Sequence, residues 1–162
     1  MASAHAFRQT LGAFPTGVTV VTALSPDGRP MGLTVNSFAS VSLDPPLVLW
    51  SQVRSSPTHD AFFRAGKMVI NILSDEQREL SSHFAKPHAD KFEGIDYSPA
   101  ECGTPVLNGC AANLICEVVD KYYGGDHTIY LCRVQSFDNH GRSSLIFSRG
   151  SYVRAQENFA SA

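Results

Sequence analysis

The stretch Gly32-Leu33-Thr34-Val35-Asn36-Ser37-Phe38-Ala39-Ser40-Val41-Ser42-Leu43-Asp44-Pro45-Pro46 decides how this chain is read. Successive side chains of a strand point to opposite faces, so Val35, Ala39 and Val41 fall on a core-facing set while Thr34, Asn36, Ser40 and Ser42 line the other side. Asp-Pro-Pro then stops the run, because proline cannot donate to a ladder. A solvated face of an antiparallel strand produces the same alternation. A row of hydroxyls and an amide is also suited to reading a planar, hydrogen-bonding ligand.

Upstream, Phe7, Leu11 and Phe14 recur at helical spacing and predict a docking helix over residues 3–11, ending near Gly12 ahead of Pro15. The β-branched run over 17–23 and the turn Ser25-Pro26-Asp27-Gly28 make a hairpin with the Gly32 strand. Downstream, Leu47-Val48-Leu49-Trp50 reads as a strand covered on both sides. It leads into Ser51-Gln52-Val53-Arg54-Ser55-Ser56-Pro57-Thr58, where Ser56 as N-cap and Pro57 at the first helical position begin a helix closed by Gly66. A helix start carries free N–H groups and partial positive charge, so Ser55, Ser56 and Arg54 form a natural seat for a phosphate, although many Ser-Pro pairs only cap helices.

Lys67 to Leu73 is a further strand, and Ser74-Asp75-Glu76-Gln77 is a capping box for a helix reaching about Phe84. Residues 86–94 are a polar loop. Two long strands, 111–122 and 128–138, are joined through Gly124-Gly125-Asp126, and a short strand over 144–147 precedes Arg149-Gly150-Ser151-Tyr152. Six or seven strands with short turns and three helices, without strict alternation, predict a mainly β (α+β) fold: an antiparallel barrel with flanking helices. No GxGxxG follows a strand, so no Rossmann domain is indicated.

A chain of 162 residues, 43% apolar and 17% charged, is expected to be one domain over 1–162, with the barrel over about 7–154 and a frayed tail over 155–162. A net charge of -2 and the lack of a Lys/Arg run argue against a nucleic-acid surface. Cys102, Cys110, Cys116 and Cys132 form no CxxC pair, and no histidine completes a zinc pattern, so reduced thiols and no metal are expected. There is no signal-peptide pattern and no apolar run long enough to cross a bilayer, which predicts no membrane association and a cytoplasmic protein.

Gly125-Asp126-His127 is the most diagnostic point. Alone it is an ordinary hairpin turn bearing a histidine. Together with Thr34-Val35-Asn36-Ser37 and Arg54-Ser55-Ser56, it resembles the short-chain flavin reductases, the FMN-binding split-barrel family, over nearly the whole chain from Phe7 to Arg154. The resemblance implies an antiparallel split β-barrel and an NAD(P)H-dependent reduction of FMN or FAD by NADH or NADPH. It also implies a homodimer that supplies reduced flavin to a flavin-dependent monooxygenase.

In this family Thr34, Val35, Asn36 and Ser37 correspond to the flavin-binding stretch, with Thr34, Asn36 and Ser37 at the isoalloxazine rim. Ser51, Gln52, Ser55, Ser56 and Thr58 correspond to the phosphate or ribityl region. Lys86 and Phe92 lie on a loop near the flavin, Tyr152 is a C-terminal aromatic contact, and Gly125, Asp126 and His127 match the motif associated with the nicotinamide, His127 being the residue placed at the reaction. The chain departs from commoner members in carrying Ser51-Gln52 after Trp50. Related barrels reduce other acceptors, such as a corrinoid, a quinone or a ferric complex, or hold flavin or haem without catalysis.

Overall fold

In the computed structural model, which describes residues 3–155, the chain forms three helices and twelve strands among the described residues. In order these are α1 (Ala4–Leu11), β1 (Thr16–Gly17), β2 (Thr19–Leu24), β3 (Pro30–Val35), β4 (Ala39–Leu43), β5 (Pro46–Val53), α2 (His59–Arg64), β6 (Lys67–Ile72), α3 (Arg78–Ala85), β7 (Tyr97–Pro99), β8 (Pro105–Leu107), β9 (Ala112–Gly124), β10 (His127–Asn139), β11 (Ile146–Ser148) and β12 (Ser151–Val153). Of the tail read over 155–162, residues 156–162 lie outside the described residues.

Seven strands build one antiparallel sheet in the order β3-β2-β6-β9-β10-β5-β4. Its two edges, β3 and β4, are consecutive in the chain and joined by Asn36-Ser37-Phe38 alone. Such a link spans at most about 14 Å. The sheet must therefore curl until its edges come close, which makes a barrel split along one seam. The stretch read as a single strand is thus two strands with the seam between them.

That split corrects a second expectation. Ala39 and Val41 do not face the core; both are exposed, as is Leu43. An edge strand has a neighbour on one side only, and the pairing of β4 with β5 is itself irregular between Ser40 and Ser42. Likewise β5 is not covered on both sides: Val48, Trp50 and Gln52 are buried, while Leu47, Leu49 and Ser51 are only half-buried.

The barrel interior is filled by Val21, Ala23, Val48, Trp50, Met68, Ile70, Tyr130 and Cys132, with Phe62 of α2 beside them. Trp50 stacks on Tyr130 with ring centroids 4.5 Å apart and meets Phe62 edge-on at 5.6 Å. A second cluster, Val18, Val20, Leu73, Phe84, Phe92 and Leu107, lies outside the sheet beneath α3. There a Cβ on Gly32 would strike the Phe84 ring, so glycine is what lets α3 settle on β3. Buried Asn71 ties these layers together: its Nδ2 donates to the Val20 carbonyl at 2.9 Å, and its Oδ1 accepts from the Leu107 N–H at 2.9 Å and Asn113 Nδ2 at 2.8 Å.

Helix bounds also differ from expectation. Residues 74–77 form a turn, not the first turn of α3, though the Gln77 side chain still reaches back to accept the Ser74 N–H at 3.0 Å. Helix α2 begins at His59 rather than Pro57 and spans six residues, but Ser56 Oγ accepts the Thr58 N–H at 3.4 Å in the manner of an N-cap. The docking helix α1 has Ser3 as N-cap and buries none of its own residues. The last expected strand is β11 with Ser144 bridged to Ser74, and β12 follows it through Arg149 and Gly150, both with positive φ. Strands β7, β8 and β12 were not legible.

Candidate active site

Strands β5 and β10 pair with Leu49 opposite Leu131, Ser51 opposite Ile129 and Val53 opposite His127. Alternation puts Trp50, Gln52, Thr128 and Tyr130 inside the barrel. It leaves Leu49, Ser51, His127, Ile129 and Leu131 on the outer face, all half-buried. Polar and apolar groups are thus interleaved on one sheet face, the arrangement a planar ring with a hydrogen-bonding edge requires.

The seam joins this face. Ser37 Oγ donates to the Ser51 carbonyl at 2.8 Å and accepts the Ser51 N–H at 3.0 Å, which clips the β3–β4 connection to β5. Asn36 beside it is exposed, and Val35 packs against the barrel core. Thr34 turns toward α3, its hydroxyl donating to the Ser81 carbonyl at 2.7 Å.

The hairpin tip is held against the loop after β5. Gly125 has φ 64 while Asp126 has no positive φ, the pattern of a two-residue II′ turn, and the Asp126 carbonyl accepts the Arg54 N–H at 2.8 Å. His127 Nδ1 lies 2.8 Å from Asp126 Oδ1, a contact that holds the Asp126 carboxyl below its ordinary value. The Arg54 guanidinium sits 4.6 Å over the Tyr123 ring, and Phe63 is parallel to Tyr123 at 6.4 Å. Arg54, Ser55, His59, Asp60, Phe63 and Tyr123 line a cleft of about 520 Å³.

Beneath this loop Gln52, 2% exposed, points inward: Tyr130 Oη donates to its Oε1 at 3.1 Å, and its Nε2 donates to Thr58 Oγ1 at 3.2 Å. Thr58 Oγ1 is 3.0 Å from Ser56 Oγ. His59 Nε2 lies 2.9 Å from Thr128 Oγ1. Ser51 and Gln52, adjacent in sequence, therefore serve opposite sides of the sheet.

The remaining candidates gather around α3. Tyr152 Oη is 2.8 Å from Ser81 Oγ, and the Arg78 guanidinium lies 5.6 Å over its ring. Lys86 lines a separate cleft of about 480 Å³ with Arg78, Glu79, Ser82, His83 and His88. Phe92 is 8% exposed and packs edge-on against Phe84 and Tyr97. The structure thus brings Ser37, Ser51, Ser55, Ser56, Asp126 and His127 into one neighbourhood, with Thr34 linking it to the α3 group. Sequence reasoning passed over His59, Phe63, Tyr123 and Tyr130; only Tyr130 carried a signal, its parity with Thr128 along β10.

Among the described residues no three of His, Cys, Asp and Glu are grouped to hold a metal ion, and no helix is long and apolar enough to cross a membrane. All four cysteines are free thiols, and burial pushes Cys132 up to about 12 and Cys110 up to about 11.

The fold and these residues have counterparts in known proteins. Residues 11–156 match the family described as flavin reductase like domain. The FMN reductase (NADH) SmoA of Agrobacterium fabrum is 45% identical over 152 residues, covering 94% of this chain and 86% of the relative. The flavin-dependent monooxygenase reductase subunit HsaB of Mycobacterium tuberculosis is 38% identical over 150 residues, covering 91% and 80%. The NADH:FAD oxidoreductase SgcE6 of Streptomyces globisporus, solved with NAD and FAD fragments, superposes with a TM-score of 0.90 at 36% identity, covering 95% of this chain and 93% of that one. Other relatives are longer, and the chain spans 48% of one of them and 54% of one matching structure. Sequence and architecture agree with the split barrel: this chain belongs to the flavin reductase-like family.

Proposed function

We propose that the chain is a flavin reductase that transfers hydride from NADH or NADPH to FMN or FAD and supplies the reduced flavin to a flavin-dependent monooxygenase. The observation that carries the reading is the outer face of β5 and β10, where Ser51, clipped to Ser37, and His127 border Leu49, Ile129 and Leu131. The apolar residues receive the body of a planar ring; Asn36, Ser37 and Ser51 offer hydrogen bonds to its edge. Beyond it, Arg54 and the hydroxyls of Ser55 and Ser56 suit an anionic tail, Arg54 supplying the charge because a helix as short as α2 adds little dipole.

When bound, flavin and nicotinamide supply the reacting atoms themselves, and the protein contributes orientation and electrostatics. His127, on the first residue of β10, stands where it can hold the nicotinamide carboxamide over the ring, and the tight Gly125-Asp126 turn keeps backbone from obstructing that approach. Asp126 orients the imidazole through Nδ1 and leaves Nε2 to face the ligand.

The same outer face supports a homodimer. Leu47, Leu49, Ile129 and Leu131 keep part of their surface among the described residues, and a second copy would cover what the bound ring leaves open while walling the flavin site. Free thiols fit a reducing compartment, the cytoplasm. Anaerobic mixing of the protein with NADH or NADPH and with FMN or FAD tests the reaction: loss of the oxidised flavin's visible absorbance is expected in at least one pairing, and its persistence in all four overturns the proposal.

A further inference from the structure

His59 takes no part in the contacts proposed for either cofactor, yet its side chain is only 12% exposed. It opens α2, and Phe62, three residues on and so on the same side of the helix, is fully buried against Trp50. The helix is thereby fixed to the barrel core. From it the His59 imidazole reaches across to β10, where Nε2 lies 2.9 Å from Thr128 Oγ1. Thr128 is fully buried, and among the described residues its hydroxyl has no other partner. The contact holds whichever group donates, since a neutral imidazole nitrogen can give or take a hydrogen bond and a hydroxyl does both.

Thr128 directly follows His127, at the end of a ladder. Beyond the pairs of His127 with Val53 and with Gly124 only the Gly125-Asp126 turn remains, and strand ends open more readily than strand middles. The residues on either side of His127 are nevertheless both tied to the segment that follows β5: the Asp126 carbonyl accepts the Arg54 N–H at 2.8 Å, and Thr128 is held by His59. The first tie is made by backbone alone; the second depends on side chains. We infer that His59 is a positioning residue for His127, fixing the outward aim of that imidazole by holding the buried hydroxyl of the next residue. The inference rests on the reading of His127 as the group that holds the nicotinamide. Side chains 127 and 128 leave the strand on opposite faces, so a rotation of the strand end that lifts Thr128 off His59 turns His127 with it. In this role His59 touches neither cofactor; it keeps in place the geometry that hydride transfer between two rings requires.

The test is anaerobic stopped-flow reduction of flavin-saturated protein at a fixed NADH concentration, with flavin dissociation constants measured separately by fluorescence titration. His59→Leu keeps the bulk and loses the hydrogen bond; it should slow reduction about fivefold, ~1 kcal/mol at the barrier, and leave flavin affinity unchanged. His59→Gln, which can still bond the hydroxyl, should recover most of the rate, and Thr128→Val should slow reduction as His59→Leu does. In the His127→Ala background His59→Leu should bring no further loss, because there is no imidazole left to aim. An additive loss there overturns the inference, as does equal slowing by His59→Leu and His59→Gln, which leaves His59 a packing role. Weaker flavin binding in His59→Leu with an unchanged reduction rate of the saturated protein also overturns it and makes His59 a wall of the flavin cleft. If His59→Leu does not fold, Thr128→Val in the parent and in the His127→Ala background decides in the same way. His127→Ala alone separates the premises: a normal rate there overturns the nicotinamide reading and the inference with it, whereas a slow His127→Ala beside a normal His59→Leu overturns the positioning role only.

Discussion

The two faces of the β5–β10 ladder are made by the same thirteen-residue and eight-residue strands, yet they are built to different rules. On the inner face Trp50 and Tyr130 stack, Phe62 closes over them, and Gln52 has both amide ends bonded within the chain. On the outer face Leu49, Ile129 and Leu131 keep part of their surface, and His127 and Ser51 stand among them. One residue of register separates the two sets. On the proposed reading, stability and recognition are divided by parity along a single pair of strands, and a slip in pairing would exchange them.

Substitutions of opposite parity should break or sharpen this division. The largest effect is expected inside: Trp50→Ala removes a fully buried ring from between Tyr130 and Phe62, and should cost about 3–5 kcal/mol of unfolding free energy in a denaturant titration. A cost below about 1 kcal/mol would mean that the inner face is not the core. Outside, Leu131→Asp should leave unfolding of the isolated chain within about 1 kcal/mol of the parent while placing a charge in the proposed subunit interface. Sedimentation velocity at micromolar concentration should find the parent at twice 17.6 kDa and the variant at 17.6 kDa. A monomeric parent removes the dimer, and a dimeric variant moves the interface off this face.

The scaffold that carries this division was legible in the sequence; the division itself was not. The hairpin of β9 and β10 followed from two long β-rich runs around Gly125-Asp126, because turn chemistry is local. The barrel followed from strand number and short connections. What was hidden depends on distant parts of the chain. Asn36-Ser37-Phe38 reads as the middle of a strand, since alternation continues through it; only the closing together of β3 and β4 turns it into a seam. Leu47-Val48-Leu49-Trp50 looked covered on both sides because apolar sequence does not say whether the covering layer belongs to the same chain. Gln52 read as a polar group offered to a ligand, but its parity with Trp50 sends it inward to Tyr130, whose partner lies 78 residues away in sequence. Phe63 and Tyr123 meet through the packing of α2 beside the hairpin, and no spacing announces that.

The smallest effect is expected at His127, and it bears most directly on the chemistry. Its side chain is 43% exposed and among the described residues bonds only to the neighbouring Asp126, so folding places little reliance on it. Alanine there should change unfolding free energy by less than about 0.5 kcal/mol. It stands opposite Val53 on the face that carries Ser51, and its Nε2 is free of the turn. If that nitrogen holds the nicotinamide, His127→Ala should slow flavin reduction at a fixed NADH concentration about ten- to a hundredfold, or ~1.4–2.7 kcal/mol at the barrier. The flavin's own dissociation constant should not move, because Ser51 and the Arg54 loop are untouched. Anaerobic stopped-flow mixing of flavin-saturated protein with NADH separates these outcomes. A slower reduction with unchanged flavin affinity places the nicotinamide at His127. Equal rates at every NADH concentration make His127 a hairpin residue, and a weakened flavin with an unchanged reduction rate assigns it to the flavin edge, so that the outer face would read one ligand rather than two.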